Sequence, residues 1–370
     1  MSSSDESQTL QTADPTVGLL AMTKLSRTEY LNDSCDPEEL LYAIERGCVG
    51  ATSNPVIVFN VLQKHLAAWT PRIQAVVREH PDWDETRVAW AVYETIALEA
   101  AKLLLPIFEA TGGKKGRLSI QVDPAAYADG PAIAAQARHF AGLAPNIQVK
   151  IPATAAGIAQ IEELTFEGIH LNVTVSFAVA QVVAIAEAVE RGLARRTAAG
   201  LSVETMSPYA TLMVGRVDDW LKIQKKKLGL QDVPDAALEW GGVACFKNAY
   251  RIYTERKYRT VLLAAAYRNM EHWTEFVGGD VAMTIPWGHQ VRYNHSGIAP
   301  SHRMDVPVDP AIIAALQQCP DFEKAFNPDA LTIDEFQTFP MAVRTLRTFV
   351  ESWHNLVGLI RDVMLPNPDL

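Results

Sequence analysis

Residues 147–154 read Ile-Gln-Val-Lys-Ile-Pro-Ala-Thr and place a lysine, Lys150, inside a short β-branched run. Side chains alternate along a strand, so Gln148 and Lys150 share one face and the β-branched residues share the other. A lysine buried in a strand must be paired with an acid or have its pKa lowered until the amine is largely neutral. A neutral amine is a nucleophile that suits attack on a carbonyl carbon, with formation of a Schiff base. The alternative is an edge strand whose lysine points into water.

Outward from this stretch, short apolar runs alternate with helical segments along most of the chain. The runs predict strands within residues 28–34, 48–54, 117–123, 147–152, 168–175, 203–214, 260–267 and 280–286. Uniformly apolar strands that alternate with helices are typical of a parallel sheet covered by helices. Eight such units over roughly 260 residues favour a closed (β/α)₈ TIM barrel over an open doubly wound sheet. No Gly-rich nucleotide-binding loop follows any of the strands, which removes the main support for the open sheet.

The intervening segments predict the helices and the domain organisation. Helices are predicted over 37–46, over 58–110 with breaks near Pro71 and Pro81, and from near Asp218. Residues 287–303 are predicted as a loop above the barrel, followed by two or three C-terminal helices. The polar start of the chain predicts a disordered tail over residues 1–20. Residues 21–370 are then one barrel domain with a C-terminal helical extension.

Composition narrows the functional class. The net charge of −10 argues against binding to nucleic acid or to an anionic membrane surface. No apolar run is long enough to cross a bilayer, and the start of the chain has no signal-peptide pattern. The cysteines have neither metal-ligand spacing nor a disulfide pattern, which favours a reducing cytoplasm. The histidines at 289, 295 and 302 have no known ligand spacing, so neither a metal site nor a cofactor is predicted.

In a barrel of this kind the active site lies at the C-terminal ends of the strands. Each polar residue there could have an ordinary structural role, such as capping a helix. Their common position at one end of so many strands nevertheless favours an active site. The candidates are Asp33, Thr52, Asn54, Gln121, Asp123, Lys150, Asn172, Thr174, residues Ser207 to Thr211, Arg216 and Arg268.

These residue types suit one reaction. Lys150 would attack a ketone, and Asp33 would deprotonate a β-hydroxyl so that a carbon–carbon bond breaks. Gln121 and Thr174 would hold a water for proton relay.

The remaining candidates suit substrate binding. Two arginines, Arg216 and Arg268, match a bidentate anion such as a phosphate at the far end of the substrate. Hydroxyl groups of a sugar would contact the smaller polar side chains, namely Thr52, Asn54, Asn172 and Thr211.

Several of these residues lie in motifs that resemble the transaldolase family. They are Val-Lys-Ile-Pro-Ala-Thr at 149–154, Thr-Ser-Asn-Pro at 52–55, Asn-Val-Thr at 172–174, Val-Gly-Arg at 214–216 and Ala-Tyr-Arg-Asn at 266–269. The resemblance runs from about residue 30 to 286. It implies a class I aldolase-type barrel that moves a dihydroxyacetone unit between sugar phosphates without metal or cofactor. By position, it implies that Lys150 is the Schiff-base lysine, Asp33 the strand-one acid, and Arg216 and Arg268 the phosphate ligands.

Three positions depart from the family pattern or leave its alignment open. The family's transaldolases have Glu where this chain has Gln121, whereas the related fructose-6-phosphate aldolases have Gln. In strand six, the site position falls on Thr211 in one alignment and on Ser207 in another. The second alignment brings in Tyr209, which would favour water handling and simple aldol cleavage. In strand one, an alternative alignment would place Lys24 where the acid belongs, and the strand-to-helix context favours Asp33.

The sequence therefore predicts a transaldolase that acts through a Lys150 Schiff base. One alternative is a lyase of the fructose-6-phosphate aldolase type. Another is a barrel that binds sugar phosphates without catalysis. The donor and acceptor sugars, a homo-oligomeric state and closure of the 287–303 loop over substrate stay open.

Overall fold

In the computed structural model, which describes residues 16–369, eight parallel strands form a closed barrel in chain order. This confirms the predicted (β/α)₈ barrel. The strands are β1 (Glu29–Asn32), β2 (Gly50–Thr52), β3 (Arg117–Gln121), β4 (Ile147–Pro152), β5 (Leu171–Ser176), β6 (Tyr209–Leu212), β7 (Val261–Ala264) and β8 (Ala282–Ile285).

Helices surround the barrel and extend beyond its last strand. They are α1 (Gly18–Leu25), α2 (Pro37–Ile44), α3 (Pro55–Lys64), α4 (Leu66–Glu79), α5 (Glu85–Ala110), α6 (Gly130–Ala141), α7 (Ala155–Glu167), α8 (Val179–Ala198), α9 (Val214–Leu228), α10 (Asp235–Leu238), α11 (Gly241–Arg256), α12 (Glu271–Thr274), α13 (Trp287–Asn294), α14 (Pro310–Leu316), α15 (Pro320–Phe326) and α16 (Pro340–Met364). None of the helices within residues 16–369 is both long and apolar enough to cross a membrane.

Strand β4 lies inside the sheet rather than at an edge. It pairs with β3 on one side and β5 on the other, with Lys150 opposite Gln121 and Asn172. All six residues of β4 are buried. Ile147, Val149 and Ile151 belong to the main hydrophobic core, as the predicted alternation requires. The edge-strand alternative for Lys150 is therefore wrong, because closure of the barrel leaves no free edge.

Part of the barrel interior is apolar. Leu31, Leu263 and Ala282 form a small cluster there, with Tyr209 and Val261 packed against it. The larger core lies between the strands and the surrounding helices. Towards the C-terminal ends of the strands, the side chains that face the barrel interior are polar. The polar candidates are therefore grouped at one end of the barrel.

Three predicted boundaries differ from the structure. Pro71 lies within α4, and the chain breaks instead at His65, between α3 and α4. Helix α9 begins at Val214 rather than near Asp218, so the Val-Gly-Arg motif forms its first turn. Most of the predicted tail falls outside the described residues, but residues 18–20 belong to α1, because Leu19 is buried and its N–H is bonded to Asn294.

The predicted loop over residues 287–303 begins instead as helix α13. The side chain of Gln290 is buried and donates to the Asn32 side chain and to the Ile285 carbonyl, each at 2.7 Å. Tyr293 is buried as well, and its hydroxyl donates to the Asn269 carbonyl at 2.8 Å. These buried contacts explain the error, because sequence periodicity does not reveal a helix that is held by polar side chains.

The C-terminal extension packs against the barrel helices. The 25-residue helix α16 packs on α3, α4 and α5. Trp353 of α16 stacks on Trp90 of α5 with the ring centroids 4.0 Å apart. The extension therefore contributes side chains to the same hydrophobic core as the barrel and its helices.

Candidate active site

Lys150 is 4% exposed and lies at the level where β3, β4 and β5 pair. Its Nζ makes one long hydrogen bond, 3.5 Å, to the carbonyl oxygen of Ser53. Burial lowers the pKa of the Lys150 amine, and the charge of Asp33 partly opposes this effect. Apart from this long contact, no ion-pair partner of Lys150 is found among the described residues, so burial shifts the amine towards its neutral, nucleophilic form.

Asp33 directly follows β1, and its backbone N–H donates to the Ile285 carbonyl of β8 at 3.1 Å. The Thr52 hydroxyl donates to Asp33 Oδ1 at 2.7 Å and lies 2.5 Å from the Thr284 hydroxyl. Burial raises the pKa of Asp33, whereas the charge of Lys150 and the Thr52 hydrogen bond lower it. Burial thus shifts Asp33 and Lys150 towards their neutral forms, which suits a pair that exchanges protons.

A hydrogen-bonded chain crosses the barrel beside Lys150. Thr211 donates to Asn172 Oδ1 at 2.6 Å, and Asn172 Nδ2 donates to Ser119 Oγ at 3.1 Å. Ser119 in turn donates to Gln148 Oε1 at 2.9 Å. This series of hydrogen bonds fixes the orientation of the Asn172 amide. The position of the amide relative to Lys150 is therefore set by β3, β5 and β6 together.

The residues named by the alternative alignments lie in different places. Ser207 precedes β6, and its carbonyl accepts from Gln148, while Tyr209 packs against the small apolar cluster of Leu31, Leu263 and Ala282. Thr211 is therefore the strand-six residue that joins the Lys150 group. Lys24 lies exposed on helix α1 rather than in a strand, which leaves Asp33 at the end of β1.

Gln121 and Thr174 are buried neighbours of Lys150 in the strand pairing, since Gln121 is opposite Lys150 and Thr174 opposite Pro152. Gln121 Oε1 and Thr174 Oγ1 have no hydrogen-bond partner among the described residues. Val175, the next residue after Thr174, has φ of 60°, where the β5–β6 register shifts. Backbone strain of this kind at a β-branched residue is typical of functional sites.

Arg216 and Arg268 lie close enough for their charges to interact. Burial lowers the pKa of Arg216, and the charge of Arg268 lowers it further, whereas Asp219 opposes the shift. Arg268 donates from Nη2 to Asp219 Oδ2 at 2.8 Å. Arg216 is in the first turn of α9, where the positive end of the helix dipole also favours an anion. Two adjacent guanidinium groups at a helix N-terminus suit a phosphate.

Gly215 allows this close approach. A Cβ atom at this position would lie 1.9 Å from the Ala266 carbonyl oxygen and 2.7 Å from Cγ of Arg268. Such distances are far inside van der Waals contact, so any side chain would push α9 away from the turn that carries Arg268. The glycine of the Val-Gly-Arg motif therefore sets the spacing of the two arginines.

A family model described as Transaldolase/Fructose-6-phosphate aldolase matches residues 30–360. The chain belongs to this family. The match extends beyond β8 into α16, so the C-terminal helices are part of the family's fold.

The curated relatives described next are all named transaldolase. The transaldolase of Thiobacillus denitrificans is 34% identical over 222 residues, which cover 57% of this chain and 58% of that protein. The transaldolase of Neisseria gonorrhoeae is 35% identical over 215 residues, 58% of each chain. Transaldolase 1 of Streptomyces coelicolor is 36% identical over 156 residues, 42% of this chain and 40% of that protein. The chain thus spans about half the length of the curated relatives it matches.

Two of the candidates, Asn54 and Asp123, have structural contacts of their own. Asn54 caps α3, because its Oδ1 accepts from the Ile57 N–H at 3.1 Å, which gives this side chain a structural role of its own. Asp123 caps the short turn that follows β3, where its carboxylate accepts from the Ala125 N–H at 2.8 Å. The structure does not bring Asp123 into the group around Lys150.

Sequence reasoning missed Thr284 and Tyr267. Thr284 links β8 to Thr52, and its position one residue before the end of a strand was the available signal. Tyr267 is buried, its hydroxyl has no partner among the described residues, and the charge of Asp33 helps to raise its pKa. A cavity of about 230 Å³ next to Asp33 is lined by Glu39, Asn60, Lys64 and Trp287, among other residues.

Proposed function

We propose that this chain is a transaldolase that moves a dihydroxyacetone unit between sugar phosphates through a Schiff base on Lys150. The observation that carries the proposal is the buried Lys150 amine, whose pKa is lowered by burial and which has no ion-pair partner among the described residues. Family membership and the relatives named transaldolase support the same reaction. Sugar phosphates as substrates follow from the proposal, and the two arginines support them.

The proposed reaction begins when the neutral Lys150 amine attacks C2 of a ketose phosphate. Loss of water gives an iminium ion, which accepts the electron pair when the C3–C4 bond breaks. The Asp33 carboxylate takes the proton of the C4 hydroxyl, and an aldehyde leaves with its phosphate against Arg216 and Arg268.

The enamine left on Lys150 then adds to the carbonyl carbon of an acceptor aldehyde. Protonated Asp33 returns its proton to the new hydroxyl, and hydrolysis of the iminium ion releases the product ketose and the free lysine. Gln121 and Thr174 have unpartnered polar atoms that suit the water of the imine steps.

Borohydride reduction in the presence of fructose 6-phosphate tests the proposal. We expect mass spectrometry to find a reduced three-carbon adduct on Lys150, and formation of a new ketose phosphate only when an acceptor aldehyde phosphate is added. A Lys150 that stays unmodified would favour the alternative of a sugar-phosphate-binding barrel without catalysis.

The second candidate is a lyase of the fructose-6-phosphate aldolase type, which Gln121 favours because an amide positions water without acting as a base. Tyr209 gives this alternative no further support, because it packs against the small apolar cluster of Leu31, Leu263 and Ala282. Release of free dihydroxyacetone at the same rate with and without an acceptor would overturn the transferase proposal. Four buried free cysteines at 35, 48, 245 and 319 favour a cytoplasmic location, and a homo-oligomer stays a prediction.

A further inference from the structure

A buried pair, Asp218 and His272, links helix α9 to the turn that carries Arg268. Both side chains are 0% exposed, and His272 Nε2 lies 2.8 Å from Asp218 Oδ2. On its other side, His272 Nδ1 accepts from the backbone N–H of Arg268 at 3.1 Å. Asp218 Oδ1 accepts from the Gly242 N–H of α11 at 2.8 Å. Three segments distant in sequence are therefore joined through the Asp218 carboxylate and the His272 imidazole ring.

These contacts determine the tautomer of His272. A backbone N–H can only donate, so Nδ1 must be unprotonated to accept from Arg268. The ring proton then lies on Nε2 and is donated to the Asp218 carboxylate. The carboxylate thus fixes the imidazole tautomer, and the imidazole fixes the backbone at Arg268.

The link matters because α9 also carries the other arginine. Arg216 lies in the first turn of α9, two residues before Asp218, and Asp219 of the same helix binds the Arg268 guanidinium. The Asp218–His272 pair therefore connects the helix that bears one arginine to the backbone of the other. Gly215 brings the same two segments into contact, but it does not fix their orientation.

We propose that Asp218 and His272 are positioning residues that set the geometry of the Arg216–Arg268 anion site for a substrate phosphate. The inference rests on the proposed function, because that function assigns the two arginines to a phosphate. Neither residue touches the reacting carbons, so their loss should affect binding of phosphate-bearing substrates and not the chemistry at Lys150.

Asp218→Asn tests this with a nearly isosteric change. The amide oxygen still accepts from Gly242, but the amide nitrogen must donate to His272 Nε2, which moves the ring proton to Nδ1 against the Arg268 N–H. We expect the KM for fructose 6-phosphate and the Kd for inorganic phosphate each to rise about tenfold, with little change in kcat. Adduct formation on Lys150 with dihydroxyacetone, which has no phosphate, should stay at the wild-type rate.

Glu275→Gln is the matched control, because it also converts a buried carboxylate to an amide but contacts Lys247 and Arg303 instead. His272→Asn and His272→Ala form a second pair in which only asparagine offers Arg268 an acceptor. We expect the alanine variant to bind phosphate more weakly than the asparagine variant.

Equal phosphate binding by Asp218→Asn and Glu275→Gln would overturn the inference. If Asp218→Asn does not fold, equal phosphate binding by the two His272 variants would overturn it instead. A wild-type protein that forms no Lys150 adduct would overturn the proposed function. The phosphate Kd values of the variants, measured by calorimetry, would still decide whether Asp218 and His272 position the arginines.

Discussion

Lys150 in the barrel is buried and Lys247 on α11 is half-buried, and the two lysines have opposite surroundings. Lys247 donates to Glu275 Oε2 at 2.6 Å and to the carbonyls of Arg303 and Val306 at 2.9 and 2.6 Å. The Lys150 amine has one contact, at 3.5 Å, to the Ser53 carbonyl. The protonated form of Lys247 is thus fully bonded, whereas that of Lys150 is not.

Burial lowers the pKa of both lysines, and a carboxylate opposes it in each case. At Lys247 that carboxylate is Glu275, which acts through a direct hydrogen bond as well as its charge. At Lys150 it is Asp33, which acts through its charge alone. Burial alone therefore does not identify a reactive lysine. The hydrogen bonds and ion pairs available to its ammonium form distinguish the two lysines.

The largest expected effect is on activity. Lys150→Met should lower kcat/KM by about 10³-fold or more and remove the borohydride-trapped adduct, because no other amine replaces the nucleophile. Lys247→Met, the matched control, should form the adduct as the wild type does. Equal activity of the two variants, assayed with fructose 6-phosphate and an acceptor, would break the comparison.

Stability should change in the reverse order, with a larger loss for the Lys247 variant than for the Lys150 variant. Lys247→Met leaves the buried Glu275 carboxylate with Arg303 as its remaining partner and should lower the free energy of unfolding by about 3 kcal/mol. Lys150→Met removes a poorly bonded amine and should leave the unfolding free energy within about 1 kcal/mol of wild type, or raise it. Urea denaturation measures both. A larger loss at Lys150 would contradict the structural assignment of Lys247.

The smallest expected effect is a shift in titration. Asp33→Asn removes a negative charge that raises the pKa of Lys150, so the amine should become reactive at lower pH than in the wild type. Glu275→Gln should shift Lys247 in the same direction and further, because a direct hydrogen bond is lost. The pH dependence of acetylation at each lysine, followed by peptide mass spectrometry, measures the shifts. A rise in the pH of half-reaction for either variant would have the wrong sign.

The alternation of the sequence determined the barrel and much of the candidate group. Eight apolar runs separated by helices predict a closed parallel barrel, because buried parallel strands need helices on their outer face. Alternation within residues 147–152 predicts that Lys150 faces away from the outer core. Patterns of this kind depend only on residues that are neighbours in the chain, so they can be recognised from the sequence alone.

Tertiary structure decided what lies beside each of these residues. The position of β1 relative to β2 puts Asp33 beside the Thr52 hydroxyl, and the position of β6 relative to β5 puts Thr211 beside the Asn172 amide. The Thr52–Thr284 contact and the Asp218–His272 pair join residues far apart in the chain. Such contacts follow from closure of the barrel and packing of its helices, and these long-range events leave no periodic pattern in the sequence.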